Sequence, residues 1–478
     1  MVQVYRSESV LSSKIVTPLR SAISYGIGEG PNSLVTNGVS TFGLLYYTEI
    51  LHISPAIAGS ALSLSIFWEA FTEPVMGYVS DQTRSRFGSR LPWIVVGGGL
   101  IALAMYLFWH IPSRFTGNST AIIVYLIAVN IALRTGLTMY FIPYLALGFE
   151  LSPSYDGRSR LQSFRWVFNM LANFLGPALA WSIFFRGHTS ATGVRVDGTA
   201  VAENYAAMSS AFAIAILVMI ALLALSTYRD GRFAAQPKPE RKARLWSEFG
   251  QALQDRNMRW LLGFALLVQI ALMTVVALQT YAYIFVMDLD SWQRSLANGA
   301  TMVGMASGAF ASTYLCRWLD KKPVVMIGVV GGIMSHALFG ILYLTGVIHS
   351  GTTTGFVTFV LLHGGYWMGS GFIFPVVTAM IGDSAELRSA RSPGRHEGVY
   401  SAALSLSMRI AFAIGLLVGG WLLSNVGFQP GAAVQMSVEA KRQLAVLLFF
   451  VTPAIALLGL PALLRHPVNR QSFEASTC

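Results

Sequence analysis

Charge is scarce in this chain. Asp, Glu, Lys and Arg make up 12% of its 478 residues, against roughly a quarter in a soluble domain. That excludes an ordinary water-soluble fold, and a hydrophobic content of 54% excludes a disordered or fibrous chain. Cysteine is nearly absent: Cys316 and Cys478 form neither a disulfide framework nor a metal motif. No GxSxG, HExxH or phosphate-loop pattern occurs, and no motif joins a nucleophile to a base, so an enzyme is not expected. Gly26-x-Gly28-x-Gly30 lies in an apolar run with no βαβ pattern after it, so no nucleotide cofactor is expected either. The stretch to about Arg20 is polar and lacks the short apolar core of a cleaved signal peptide.

Long apolar runs are what the chain does have. The mean hydropathy is +0.56, and a bilayer span needs about 20 mostly apolar residues. The sequence predicts twelve spans, at 21–48, 56–79, 92–112, 120–149, 164–185, 206–227, 258–287, 296–315, 324–347, 355–382, 398–424 and 443–464. Short polar connections make neighbouring spans antiparallel helices, and the ten-residue alternation of a membrane β-barrel is missing. The expected fold is an all-α, multi-pass membrane protein of twelve transmembrane helices in two six-helix halves. The halves are 1–228 and 258–478, joined by a central loop at 229–257.

The net charge of +11 would suggest nucleic acid in a soluble protein. Here the distribution of the charge argues for a lipid bilayer. With both termini in the cytoplasm, 25 of the 33 Lys and Arg fall on the inner side, counting Arg165 and Arg259 at the inner ends of their spans, 6 on the outer side and two, Arg134 and Arg409, deep inside spans; basic residues collect in cytoplasmic loops. The central loop carries Gln236-Pro237-Lys238-Pro239-Glu240 as a linker and an amphipathic stretch at 245–253. Asp81, Arg84 and Arg86 after span 2 are echoed by Asp320, Lys321 and Lys322 after span 8, a weak repeat. Related halves of six spans are a transporter architecture with the substrate site near the midplane.

An ionised side chain at the bilayer centre costs roughly 2.5–3.5 kcal/mol on insertion scales, so the few that occur mark a cavity or a pathway. They are Glu29, Glu69, Glu73, Arg134 and Arg409; Glu49, Glu150, Arg165, Asp383 and Glu386 lie nearer span ends. Glu69 and Glu73, at i and i+4, share one helix face beside Thr72. Two close carboxylates repel, so one of them holds a proton more tightly. The pair is a candidate for binding H⁺ or chelating Na⁺; the alternative is a structural pair bridged to Arg134 or Arg409. Glu29 lies among Gly26, Gly28, Gly30 and Pro31, where glycines admit a close approach and proline bends the helix. It is a candidate substrate or proton ligand. Arg134 and Arg409 are candidate substrate contacts or counter-charges. Tyr140, Tyr144, Tyr366, Trp367 and Tyr400 are candidates for stacking on a sugar ring, while His336 and His363 read as hydrogen-bonded packing residues.

These residues carry a family resemblance. Span 2 and its loop read Trp68-Glu69-Ala70-Phe71-Thr72-Glu73-Pro74-Val75-Met76-Gly77, then Asp81-Gln82-Thr83-Arg84-Ser85-Arg86-Phe87-Gly88-Ser89-Arg90-Leu91-Pro92-Trp93. This resembles the glycoside–pentoside–hexuronide:cation symporters, the melibiose-permease branch of the major facilitator superfamily, whose pattern there is W-D-A-x-x-D-P-x-x-G followed by D-x-T-x-[ST]-[RK]-[WF]-G-[KR]-x-[RK]-P-W. Ile142-Pro143-Tyr144 with Glu150-Leu151, Arg160 and Arg165 is a second match. Asp383, Glu386-Leu387, Glu397-Gly398-Val399-Tyr400 and Arg409 make a third. The matches keep their order across nearly the whole chain.

The resemblance implies a major facilitator fold and a coupling cation held by Glu69 and Glu73 with Thr72 as a further oxygen. It implies a sugar site that includes Arg165 and lies near Arg409; the residues themselves add Glu29, Asn32, Arg134, Tyr144 and Trp367 as candidates for it, Arg134 being additional to the family pattern. It implies an inner gate at Asp81, Arg84, Arg86 and Arg90, with which Asp383 and Glu386 are grouped. Both cation-site acids are Glu where the family has Asp. Asn32-Ser33 stands where melibiose permeases have a Lys-Asp pair, and Phe141 where they have an acid. The expected function is H⁺- or Na⁺-coupled symport of a small organic solute, a glycoside or uronide, by a monomer in a bacterial cytoplasmic membrane. The same fold carrying an amphipathic solute such as a lysolipid or steroid is the first alternative, a proton-coupled drug antiporter the second, and a non-transporting sensor the third.

Overall fold

The computed structural model describes residues 19–115, 118–151, 155–189, 193, 195–228, 250, 254–391, 397–428 and 436–467. The expected linker at 236–240, all but residue 250 of the stretch at 245–253, and the chain before residue 19 lie outside them.

Twelve long helical segments run through the described residues. α1 covers residues 19–49 in pieces: Leu19–Ile27, Gly30–Gly38, a wider turn at Val39–Gly43, and Leu44–Glu49. Then follow α2 (Pro55–Gln82), α3 (Leu91–Trp109), α4 (Ser119–Glu150), α5 (Tyr155–Leu179, continued by the wide turn Ala180–Phe184) and α6 (Ala202–Thr227). After the central region come α7 (Arg256–Tyr281, continued by Ala282–Val286), α8 (Ser291–Leu319), α9 (Lys321–Leu344), α10 (Thr353–Arg391), α11 (Glu397–Asn425) and α12 (Val438–Arg465). Nine of these are long and apolar enough to cross a membrane, all except α1, α2 and α8. Those three are the interrupted helix, the helix with Glu69, Glu73 and Asp81, and the polar, glycine-rich α8.

The helices outrun the predicted spans. The tenth, expected at 355–382, continues to Arg391, and the eighth, expected at 296–315, starts at Ser291 and ends at Leu319. Hydropathy locates the hydrocarbon-facing part, whereas backbone bonding and caps decide where a helix ends. Asp290 and Gln293 form a reciprocal capping box at α8, Asn118 accepts from two backbone N–H groups at α4, and Asp255 and Ser437 cap α7 and α12. One departure from an all-helical chain is a two-residue antiparallel ladder, β1 (His188–Thr189) with β2 (Arg195–Val196), between α5 and α6.

The described residues group into two compact units. The first draws on Met1–Val39, Trp68–Gly176 and Tyr205–Lys242, the second on Ser40–Phe67, Pro177–Asn204 and Ala243–Cys478. In the first, α3 and α4 meet at a small residue: a Cβ on Gly97 would lie 2.6 Å from the Tyr140 nitrogen. In the second, the core joins Leu261, Phe264 and Val268 of α7 to Val325 of α9, Phe372 and Val376 of α10, Ala403 of α11 and Leu463 of α12. Segments 40–67 and 177–204, from the early part of the sequence, belong to this unit. Ser63 Oγ donates to the Ala413 carbonyl at 2.8 Å, the Ala56 N–H to Ser424 Oγ at 2.9 Å, and Ser182 and Ser295 share a bond of 2.9 Å.

α8 and α10 approach through glycine. A Cβ on Gly308 would collide with the Met368 carbonyl oxygen and lie 3.1 Å from the Gly371 Cα. Backbone cannot yield as a flexible side chain does. Gly308→Leu is therefore expected to cost about 3 kcal/mol and to reduce the monodisperse fraction on size exclusion. Gly331→Ala, with nothing within 4 Å of the new Cβ, should leave the profile unchanged.

Candidate substrate and cation sites

α1 breaks where its sequence forces it to. Pro31 offers no N–H to the carbonyl of Ile27, and Gly28-Glu29 forms a turn between Leu19–Ile27 and Gly30–Gly38. Two tyrosines of α4 hold the break. Tyr140 Oη donates to the Gly28 carbonyl at 2.5 Å and Tyr144 Oη to the Tyr25 carbonyl at 2.7 Å. Both rings are fully buried, and Tyr144 stacks on Tyr25 at 4.7 Å. Expected as stacking platforms for a sugar, Tyr140 and Tyr144 have their hydroxyls engaged by backbone carbonyls of α1 at its break.

The break turns Glu29 onto α5. Its carboxylate is 3% exposed. Oε1 accepts from Asn169 Nδ2 at 3.1 Å and Asn32 Nδ2 at 3.3 Å, and Arg165 Nη1 lies 3.9 Å from Oε2. Arg165, Asn169 and Asn173, at i, i+4 and i+8, line one face of α5. The amides continue as a chain: Asn173 Nδ2 donates to Asn169 Oδ1 at 3.0 Å, and Asn37 Nδ2 to Asn173 Oδ1 at 2.6 Å. Glu29 Oε2 and Arg165 Nε are buried with no hydrogen-bond partner among the described residues. An acceptor and a donor are thus left over inside one wall of carboxylate, guanidinium and amide. The Asn169–Asn173–Asn37 chain was not singled out from sequence, although the i+4 and i+8 spacing from Arg165 is a signal that could have found it.

Glu69, on α2, faces α4. Oε2 accepts from Arg134 Nη1 at 3.0 Å, and both side chains are buried. Arg134, one of the two arginines left open as partners, meets Glu69 from α4. Thr72 Oγ1 lies 3.2 Å from the Glu69 carbonyl and 3.2 Å from Thr138 Oγ1, and Trp68 Nε1 donates to Thr135 at 2.9 Å. Glu73 follows one turn on and is half-buried.

In the loop between α2 and α3, Arg90 is buried and does the joining. Its Nη1 contacts Asp81 Oδ1 at 2.5 Å and Ser80 Oγ at 2.7 Å, and its Nε donates to Glu150 Oε1 at 2.8 Å. Arg84 and Arg86 are exposed, Arg86 lying 4.8 Å over the Phe87 ring. Glu150, seen in sequence only as a motif residue near a span end, proves to be the carboxylate that ties this loop to α4.

The second unit holds the remaining candidates. Arg409, on α11, is half-buried. Trp367 Nε1 donates to His363 Nε2 at 3.3 Å, His363 Nδ1 lies 3.0 Å from His336 Nε2, and Tyr366 stacks on His336 at 4.0 Å. Both histidines are fully buried, and the indole of Trp367 is committed to this cluster. Tyr400 Oη donates to Asp255 Oδ2 at 2.6 Å. Asp383 pairs with Lys321, and Glu386 is exposed. The side chains of 397–399, part of the third sequence match, lie outside the described residues.

Residues 24–470 match the family described as MFS/sugar transport protein. The chain belongs to this family. The family is the melibiose-permease-like branch, so the resemblance read from the span-2 motif is correct, and the chain is a multi-pass membrane transporter of the major facilitator type. An uncharacterized symporter of Synechocystis sp. is 23% identical over 97% of this chain and 96% of its own length. The sodium-dependent lysophosphatidylcholine symporter 1 of Xenopus tropicalis is 22% identical over 94% of this chain and 87% of its own. The inner membrane symporter YicJ of Escherichia coli is 22% identical, covering 93% and 90%. Among solved structures, a point mutant of the nucleoside transporter NupG superposes with a TM-score of 0.66 at 10% identity, covering 94% of this chain and all of that one. A bacterial homologue of the iron transporter ferroportin gives 0.65 at 14%, covering 94% and 97%. At these identities the structural likeness shows the fold alone.

Proposed function

We propose that this transporter is a cation-coupled symporter that moves a small hydroxyl-bearing organic solute, a glycoside or uronide, by alternating access. The observation that carries the reading is the leftover pair at Glu29 Oε2 and Arg165 Nε, set in a wall of amides. A buried polar atom without a partner calls for an explanation. A sugar hydroxyl donates and accepts at once, so one hydroxyl suits both atoms. Glu69 is the coupling site, with Thr72 and Glu73 beside it. Arg134 gives Glu69 a positive partner, and H⁺ or Na⁺ competes with that guanidinium. Binding of the cation frees Arg134 and changes how α2 is held against α4, and a ligand shifts such an equilibrium only through unequal affinity for its two states. Asp81, Arg90 and Glu150 act in the inner gate, with Asp383 and Lys321. Both termini face the cytoplasm, and the membrane is the cytoplasmic one. Names of full-length relatives support symport.

A second reading, symport of a lysolipid, is favoured by the lysophosphatidylcholine symporter that matches over 94% of this chain. Uptake into proteoliposomes decides between them. Labelled glycosides, uronides and lysophosphatidylcholine are offered with a Na⁺ gradient, a proton gradient or neither. The expected result is gradient-dependent accumulation of a hydroxylated solute. Asn169→Leu should raise its KM about tenfold, the equivalent of about 1.4 kcal/mol for one lost hydrogen-bonding amide. Accumulation of the lysolipid alone would overturn the first reading.

A further inference from the structure

Glu49 ends α1, and its side chain is 4% exposed. Neither carboxylate oxygen has a hydrogen-bond partner among the described residues. The groups that face it are few. α1 brings no other charged residue between Gly30 and Glu49. Its last turn packs against the short turn Gly198–Ala200 and against α7. From α7 comes Tyr281, whose hydroxyl is engaged by Thr48 Oγ1 at 2.8 Å. From the turn comes Asp197, a like charge. Arg294 is committed to Asp197: Nη1 donates to Oδ1 at 2.9 Å and Nη2 contacts Oδ2. Arg294 is buried and lies 5.2 Å over the Trp181 ring. In this loop between α5 and α6, burial alone would push the Asp197 carboxyl up, but Arg294 and the Thr199 N–H hold it below the ordinary carboxylate range. Asp197 is therefore the ionised member of the two acids.

An ionised Glu49 would be desolvated, unbonded and beside a second carboxylate. Burying a charge without a partner costs far more than burying a neutral acid, so the group neutralises instead. The residues around Glu49 also have a reason to part. Glu49 lies in segment 40–67 and Asp197 in 177–204, the two early segments that pack with α7, α8 and α11 in the second unit. In a rocking transporter such a seam opens once per cycle.

We propose that Glu49 is a proton-binding site, filled while segments 40–67 and 177–204 are packed on α7, α8 and α11 and emptied when they separate. The motion rests on the alternating-access reading; the proton does not. Closing this seam takes up a proton from the side to which it opens, which gives the cycle a pH dependence separate from that of Glu69 and Glu73.

Two measurements on the purified full chain in nanodiscs test this. Infrared difference spectra across a pH titration should show a protonated-carboxyl band at neutral pH that fades as pH rises and is missing in Glu49→Gln. A seam reporter, Ser63→Cys with Cys316 and Cys478 replaced by Ser, is then alkylated with a water-soluble maleimide. Ser63 is buried against α11. Labelling should rise with pH, by up to about tenfold per pH unit, the limit for one linked proton. With Glu49→Gln added it should stay low at every pH. Absence of the Glu49 band would overturn the proposal, as would an unchanged pH response of labelling in Glu49→Gln. If both signatures are present but no offered solute is moved, the proton site stands and the symport reading falls.

Discussion

Arg134→Met is expected to lower the stability of the folded protein by about 3–5 kcal/mol, the cost of removing one member of a buried ion pair. Arg134 and Glu69 are 6% and 7% exposed and joined at 3.0 Å. Removing the guanidinium takes away the positive charge that lies 3.0 Å from this buried carboxylate between α2 and α4. The double variant Glu69→Leu/Arg134→Met should recover most of the loss, because an apolar pair needs no partner. Thermal unfolding in detergent at fixed pH and salt checks both. A single variant as stable as the parent would mean that the Glu69–Arg134 pair does not hold α2 to α4, and the competition between Arg134 and a cation would lose its basis.

Glu69→Gln should reduce gradient-driven accumulation about a hundredfold, equivalent to about 2.7 kcal/mol, while solute exchange without a gradient survives. The amide oxygen still accepts from Arg134, so α2 and α4 stay together, but it carries no charge for H⁺ or Na⁺ to neutralise. The split between the two assays is the point. A structural role for Glu69 would depress accumulation and exchange alike, whereas a coupling role depresses accumulation alone. Glu69→Asp, which restores the family's usual acid, should keep coupling. Shifting its preference between Na⁺ and H⁺ would identify the longer Glu arm as the selecting feature.

Much of the candidate site was legible because charge is costly in an apolar run. Glu29, Glu69 and Arg134 stood out against their neighbours without any knowledge of the fold, and all three are buried. The broken α1 was legible too, since Gly28 and Pro31 bring the break wherever the helix packs. The partners were not. Both Arg134 and Arg409 were open as counter-charges for Glu69, and spacing along one helix cannot choose between arginines on two others. Tyr144 and Trp367 look like ligand-stacking rings in sequence, yet one props the α1 backbone and the other bonds His363. A ring's use depends on which orphaned polar atom lies opposite it. Glu49 shows the reverse case. In sequence it is an acid at a span end, where water is the natural partner; in the folded chain it is buried with neither oxygen bonded among the described residues.

By itself the sequence determined the membrane class, the twelve helical segments, the branch of the major facilitator superfamily and the short list of buried charges. Each depends on local hydropathy, on local backbone restriction or on residues adjacent in the chain. The tertiary structure alone decided that Arg134 faces Glu69, that Asn169, Asn173 and Asn37 form a chain ending on Glu29, and that segments 40–67 and 177–204 pack with α7, α8 and α11. Periodicity says which residues share a face of a helix. Which helix that face meets is settled by packing between segments far apart in the chain, where a glycine that admits a backbone, or a carbonyl that needs a hydroxyl, determines the neighbour.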